Sequence, residues 1–146
     1  MVWAGGVGVG AGGAAGMGRG TVLAVAAGGA KVLVADVDEE GGAATVRQVR
    51  EAGGVAEFQR ADVSDTADVD AMSARALSAF GGLNAAFNNA GVEGDQASLP
   101  AQDMARVQRV FDIMINGVYL AMQAEIPAML ADGGGAIVNM SSIWGL

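Results

Sequence analysis

The 146-residue sequence contains no cysteine and no histidine. The first absence excludes a disulfide framework and any thiolate metal site. The second removes the side chain most often used as a general base or metal ligand near neutral pH, and no metal site is expected. Positive charge is scarce. Eight Lys and Arg, with Lys31 the single lysine, stand against sixteen Asp and Glu, giving a net charge of −8. No basic run is present to neutralise successive phosphates, so nucleic acid is not expected as a partner. Glycine or a charge interrupts every apolar stretch before the roughly 18 residues that a membrane span needs, and no membrane is expected either. Met1–Ala15 is apolar but lacks the basic flank of a secretory leader; a cytoplasmic location is the default expectation.

What is abundant is small and apolar. Hydrophobic residues make up 52% of the chain, which argues against disorder, and there are 24 glycines. The glycines follow no three-residue period, so the composition is not collagen-like. Many fall between apolar runs, where they mark turns. Others fall inside what should be strands, where each costs about 0.5–1 kcal/mol relative to alanine. The length suits one domain spanning residues 1–146.

Short apolar runs alternate with longer amphipathic segments, the pattern of repeated β-α units around a parallel sheet. Strands are predicted near Val7–Gly10, Lys31–Ala35, Val55–Arg60, Leu83–Phe87 and Ala136–Met140. Helices are predicted over Gly18–Ala27, Glu39–Ala52, Thr66–Phe80 and Gln102–Leu130, with Ser64 or Asp65 as cap of the third. Pro127 is expected to break or kink the last helix near Ile126.

Between the first strand and the first helix, Gly12, Gly16 and Gly18 form a G-x-x-x-G-x-G spacing. A turn without Cβ atoms lets backbone N–H groups approach a diphosphate, and the helix N-terminus behind it adds the positive end of a dipole. Gly8, Gly10 and Gly13 satisfy the other dinucleotide fingerprint, G-x-G-x-x-G. That register leaves only Met1–Val7, interrupted by Gly5 and Gly6, as the preceding strand, and the first register is preferred. A flexible glycine-rich leader without a ligand is the plain alternative. Asp36 ends the second strand, 18 positions after Gly18, close to the roughly 20 expected for a carboxylate that accepts ribose hydroxyls. A carboxylate there repels a 2′-phosphate, and neither Val37 nor Asp38 reverses the charge, so NAD is favoured over NADP. A solvated aspartate capping the next helix is an equal alternative for this residue taken alone.

Three further motifs stand at strand ends: Asp62-Val63, Asn88-Asn89-Ala90-Gly91, and Ile137-Val-Asn-Met-Ser-Ser142. With the glycine turn and Asp36, they resemble the short-chain dehydrogenase/reductase superfamily in order and spacing, from about Val7 to Leu146. The resemblance implies a Rossmann-type doubly wound parallel sheet of five strands in order 3-2-1-4-5, incomplete at its C-terminal side. It implies an NAD-dependent oxidoreductase acting on a small-molecule secondary alcohol or ketone. Gly12, Gly16, Met17 and Gly18 would line the pyrophosphate. Asp62 and Val63 would flank the adenine. Asn89, Ala90 and Gly91 would run beside the ribose of the nicotinamide half, with Asn89 tying the fourth strand to its neighbours. Ser142 matches the serine that polarises the substrate oxygen; a plain strand-end serine is the other reading.

The rest of the family's catalytic set is not matched. That set includes a Tyr-x-x-x-Lys pair, whose lysine lowers the pKa of a phenol that otherwise titrates near pH 10. The only tyrosine, Tyr119, lies in the long helix, and Lys31 opens the second strand; they cannot form the pair. Aligning Asp112–Leu120 on the family pattern puts Met114 where an asparagine belongs. Asn116 falls two residues later, on another helical face, because two residues turn an α-helix about 200°. Ala11 replaces the usual threonine before the turn, and Gly8 and Gly10 replace larger aliphatics. Glu93, Asp95 and Trp144 are candidates to border a substrate pocket.

Three expectations compete: an oxidoreductase represented by its N-terminal part, a non-catalytic nucleotide-binding or oligomerising module, and a decayed, poorly folding frame. The first is favoured as a family assignment, with no turnover expected from this polypeptide. A homo-oligomer is possible, and exposed edges favour self-association.

Overall fold

The computed structural model describes residues 5–142, so Trp144 lies outside the described residues. Five strands, β1 (Val7–Ala11), β2 (Lys31–Asp36), β3 (Val55–Arg60), β4 (Ala85–Asn88) and β5 (Ala136–Asn139), form one sheet in the order β3-β2-β1-β4-β5. All four pairings are parallel. This is the doubly wound Rossmann-type arrangement expected from the sequence.

Residue chemistry explains the two-sided packing. Along β2 the side chains alternate between faces at period two. Val32 and Val34 join Val22, Ala26, Val46 and Val49 under helices α1 (Gly16–Ala27) and α2 (Glu39–Glu51). Leu33 and Ala35 join Val69, Met72, Leu83, Ile113 and Met129 on the other face. Helices α3 (Thr66–Phe80) and α5 (Gly117–Ala131) cover that side. A strand buried on both faces reads as the unbroken apolar run Val32–Ala35.

β1 extends one residue beyond its expected end, to Ala11, and contains both Gly8 and Gly10. The G-x-G-x-x-G register therefore falls inside a strand, and the Gly12-Gly16-Gly18 register occupies the turn. Gly10 is needed for packing. A Cβ there would stand 2.9 Å from Val22 Cγ2, so the missing side chain lets α1 approach the sheet.

The long helix differs most from expectation. Helix α4 (Met104–Phe111) passes through a five-residue π-helical turn, Asp112–Asn116, into α5. Pro127 does not end α5, which continues to Ala131. Proline removes the bond to the carbonyl four residues earlier, here Gln123. Both Gln123 and Pro127 face solvent, so water can satisfy that carbonyl without a break. By length and composition alone, the helical run Met104–Ala131 is apolar enough to cross a membrane. In this fold Ile113, Gly117, Ala121, Glu125 and Ala128 along it are buried.

Candidate functional site

Parallel strands set all their carboxyl ends at one edge of the sheet, and the register brings the motifs together. Ala11 stands opposite Ala35 on one side and Asn88 on the other, and Asn88 stands opposite Asn139. The loops that leave these ends carry the glycine turn, Asp36, Asp62, Asn89–Gly91 and Ser142.

The glycine turn has three distinct parts. Gly12 has φ +71°, and a Cβ on it would meet the Ala90 backbone nitrogen at 2.8 Å. Gly18 is buried, and a Cβ there would stand 1.9 Å from the Gly12 carbonyl oxygen, so only glycine lets the first turn of α1 rest on the loop. Gly16, at φ +51°, faces open space, and Met17 beside it is 65% exposed. The helix begins at Gly16, two residues earlier than expected, and its N-cap residue Ala15 offers no side-chain cap. The N–H groups of this first turn are thus not taken by a capping side chain.

The loop is held from behind. Thr45, fully buried on α2, donates its hydroxyl to the Gly13 carbonyl at 3.0 Å. Arg19 donates Nε to Thr45 Oγ1 at 3.0 Å and Nη2 to the Ala14 carbonyl. Asn89 Nδ2 donates to the Gly12 carbonyl at 3.3 Å, which ties the fourth strand's end to the turn.

Asp36 is part of this loop system. Its Oδ2 accepts from Ala14 N at 2.9 Å and its Oδ1 from Asp38 N at 3.0 Å. It does not cap α2; Asp38 does, accepting from Gly41 N. Each Asp36 oxygen keeps acceptor capacity for a hydroxyl. Asp62 closes the far side. Its Oδ1 accepts from Ser64 Oγ at 2.6 Å and from Ser64 N at 3.0 Å. These bonds from Ser64 hold its carboxyl below the ordinary carboxylate value; partial burial opposes them, and Arg109 and Arg60 reinforce them. Ser64 is thereby engaged with Asp62, and Asp65 caps α3.

Two clefts run along this edge. The first, about 260 Å³, is lined by Gly12, Asp36, Val37, Asp62, Val63, Asn89, Ala90, Gly91 and Arg109, among others. The second, about 240 Å³, is lined by Met17, Asn89, Ala90, Gly91, Glu93, Met114, Met140 and Ser142, among others. Asn89–Gly91 form a wall common to both. Gly16 and Gly18 line neither; they shape the turn between them. Met114 reaches the second cleft, whereas Asn116 is exposed and donates to Asp112 Oδ1 at 3.0 Å. Glu93 borders the second cleft, and Asp95 belongs to a neighbouring one with Arg106 and Arg109.

Two features were not anticipated from the sequence, Arg109 at the cleft and the pairing of Asn88 with Glu125. Arg109 places the only cation on the first cleft's described lining; as a lone arginine on an amphipathic helix it carries no motif. Asn88 and Glu125 form a buried pair beneath the edge, with Asn88 Nδ2 donating to Glu125 Oε2 at 3.0 Å. A glutamate at a helix position flanked by Ala124 and Ile126 was the available signal.

The strand order and the loop at the β1 end define a Rossmann-type nucleotide-binding class of domain. The short chain dehydrogenase family profile matches residues 9–146. Cyclohexanol dehydrogenase of Acinetobacter sp. (strain SE19) is 39% identical over 135 residues, covering 92% of this chain and 54% of that protein. NAD+-bound xylitol dehydrogenase superposes with a TM-score of 0.95 at 27% identity, over 99% of this chain and 56% of the other. A metagenomic short-chain oxidoreductase in complex with NADP gives a TM-score of 0.92 at 30% identity, over 98% and 65%. The chain belongs to the short-chain dehydrogenase family. It spans about half the length of the curated relatives it matches.

Proposed function

We propose that this chain forms the dinucleotide-binding half of an oxidoreductase acting on a secondary alcohol or ketone. The observation that carries the reading is the continuous pair of clefts sharing the Asn89–Gly91 wall. One cleft has two carboxylates suited to hydroxyl and amino donors, and the other has a serine hydroxyl. The residues fit a dinucleotide: Gly16 opens onto space that a diphosphate can approach, beside a helix N-terminus without a side-chain cap.

In this reading Gly12, Gly16, Met17 and Gly18 shape the diphosphate turn. Asp36 accepts the adenosine ribose hydroxyls, and its charge disfavours a 2′-phosphate, so NAD is preferred to NADP. Asp62 and Val63 flank the adenine, and Arg109 lies across the same cleft. Asn89, Ala90 and Gly91 follow the second ribose. Ser142 hydrogen-bonds the substrate oxygen. When bound, the nicotinamide exchanges a hydride with the substrate carbon.

The proton carrier is not supplied by these 146 residues. Tyr119 is 65% exposed on α5, and Lys31 opens β2 at the opposite edge of the sheet. The polypeptide alone therefore binds the dinucleotide without turnover. A second reading, a non-catalytic nucleotide-binding or self-associating module, is favoured by Met114 in the second cleft where the family carries asparagine. Titration with NADH, NADPH and ADP-ribose tests the nucleotide assignment; absence of binding by folded protein overturns it. Cyclohexanol, for which one relative is named, is the first substrate to offer with NAD; measurable oxidation by the 146-residue chain would overturn the claim of no turnover.

A further inference from the structure

Beneath the nucleotide edge, Glu125 is fully buried on α5 and Asn88 is 4% exposed at the end of β4. Asn88 Nδ2 donates to Glu125 Oε2 at 3.0 Å and to Asn139 Oδ1 on β5 at 3.0 Å. Asn139 in turn donates Nδ2 to Met122 Sδ at 3.4 Å. One polar atom of each central group remains without a partner: Asn88 Oδ1 and Glu125 Oε1. Each orphan shares a carbon with a member of the hydrogen-bonded pair, so the two belong to one junction. Both are acceptors if the carboxyl is ionised, and neither can then satisfy the other. Turning the Asn88 amide over offers no escape, because its oxygen would then face Glu125 Oε2 and Asn139 Oδ1.

A single proton resolves the count. We propose that Glu125 is protonated in the folded protein and donates its Oε1–H to Asn88 Oδ1, closing a cyclic acid–amide pair that clamps α5 to β4. Every polar atom of Asn88 and Glu125 then has a partner, and both Asn88 hydrogens are used. The surroundings support neutrality. α5 packs against α3, β4 and the π-helical turn. The charged residues there are Asp68, Asp70 and Arg75 on α3, Asp112 in the turn, and Asp132 just past α5. None forms a hydrogen bond or ion pair with Glu125. β4 and β5 carry no titratable residue. Ser73 Oγ on α3 is buried and makes no hydrogen bond to the carboxylate. Burial pushes the Glu125 carboxyl above its ordinary 4.5, with the Asn88 bond opposing the rise.

Glu125 is thereby a positioning residue. It fixes Asn88, which holds β5 through Asn139 and immediately precedes Asn89 of the shared cleft wall. When the proton is lost to solvent base, a buried carboxylate is left facing the Asn88 oxygen. The clamp then weakens and the wall loses its anchor. The consequence for binding rests on the nucleotide reading above; the proton itself does not.

The test compares the wild type with Glu125→Gln and Glu125→Leu. Glutamine reproduces the neutral pair, offering N–H where the acid offers O–H. Infrared difference spectra, wild type minus Glu125→Gln at neutral pH, should show the C=O stretch of a protonated carboxyl; carboxylate bands alone would overturn the proposal. Melting temperature of the wild type should fall, relative to Glu125→Gln, as pH rises from about 4.5, because the folded state holds a proton that the unfolded chain releases. Parallel curves would also overturn it. Glu125→Leu strands the Asn88 amide and should melt about 5 °C lower. ADP-ribose affinity should weaken about fivefold in Glu125→Leu and be retained in Glu125→Gln. If the wild type binds no ADP-ribose at all, the nucleotide reading fails, while the infrared and melting outcomes still decide the clamp.

Discussion

Asp36 Oδ2 accepts the Ala14 backbone N–H at 2.9 Å. The carboxylate at the end of β2 is thereby fixed against the loop that leaves β1. Two residues 22 positions apart become one surface, and the charge of Asp36 is held at the rim of the first cleft. The nucleotide selectivity proposed for Asp36 rests on that placement.

Replacing Asp36 with alanine should weaken NADH binding about tenfold or more, since hydrogen bonds to a charged group contribute roughly 1.5–3 kcal/mol. NADPH binding should weaken less or improve, because the repulsion of the 2′-phosphate goes too. Fluorescence titration of both nucleotides checks the ratio. An unchanged ratio would remove Asp36 from the selectivity argument.

Glycine substitutions should separate by position. Gly18→Ala puts a Cβ 1.9 Å from a backbone carbonyl, which cannot yield as a side-chain tip would, and should cost more than about 2 kcal/mol with loss of nucleotide binding. Gly20 lies on the exposed side of α1 with nothing within 4 Å of a Cβ. Gly20→Ala should stabilise by about 0.4–1 kcal/mol through helix propensity and the unfolded state. Urea melts of the two variants should move in opposite directions.

Asp62 should contribute to the acid limb of stability. Its folded-state pKa lies below the ordinary 3.8, with the Ser64 side-chain bond as first cause. The unfolded chain therefore binds the proton more readily. Stability from this group is present above 3.8 and is lost as pH falls through the depressed folded value. Ser64→Ala should raise the Asp62 pKa toward its ordinary value, measurable by NMR titration of the carboxyl carbon. An unshifted titration would show that the arginines, not Ser64, set it.

The described sheet ends at β5, where Val138 is 58% exposed. On α4 and α5, Met104, Phe111, Tyr119, Ile126 and Leu130 are also exposed, each by 45% or more. Edges and apolar faces of this kind favour self-association. Light scattering of the 146-residue chain should show mass rising with concentration, and Val138→Lys should reduce the rise. A soluble monomer with a sharp two-state melt would contradict this expectation.

Much of the architecture was legible in the sequence because local rules act over a few residues. The unbroken apolar run Val32–Ala35, glycines at Gly53 and Gly81, and Ser64 or Asp65 as a cap before Thr66 define strands, stops and a helix start without reference to distant parts. The motif spacing identified the carboxyl-edge loops for the same reason: in a parallel sheet each strand end faces the same way. Pro127 shows where a local rule fails, since its effect depends on whether solvent reaches Gln123. The glycine register was legible from spacing along the chain, whereas the close approach of α1 to Gly10 is a contact between separate elements. The pairing of Asn88 with Glu125, 37 positions apart, and the presence of Arg109 in one cleft with Asp36 were set only by packing. Such contacts depend on distances in space, and spacing along the chain carries no record of them until the sheet and helices have come together.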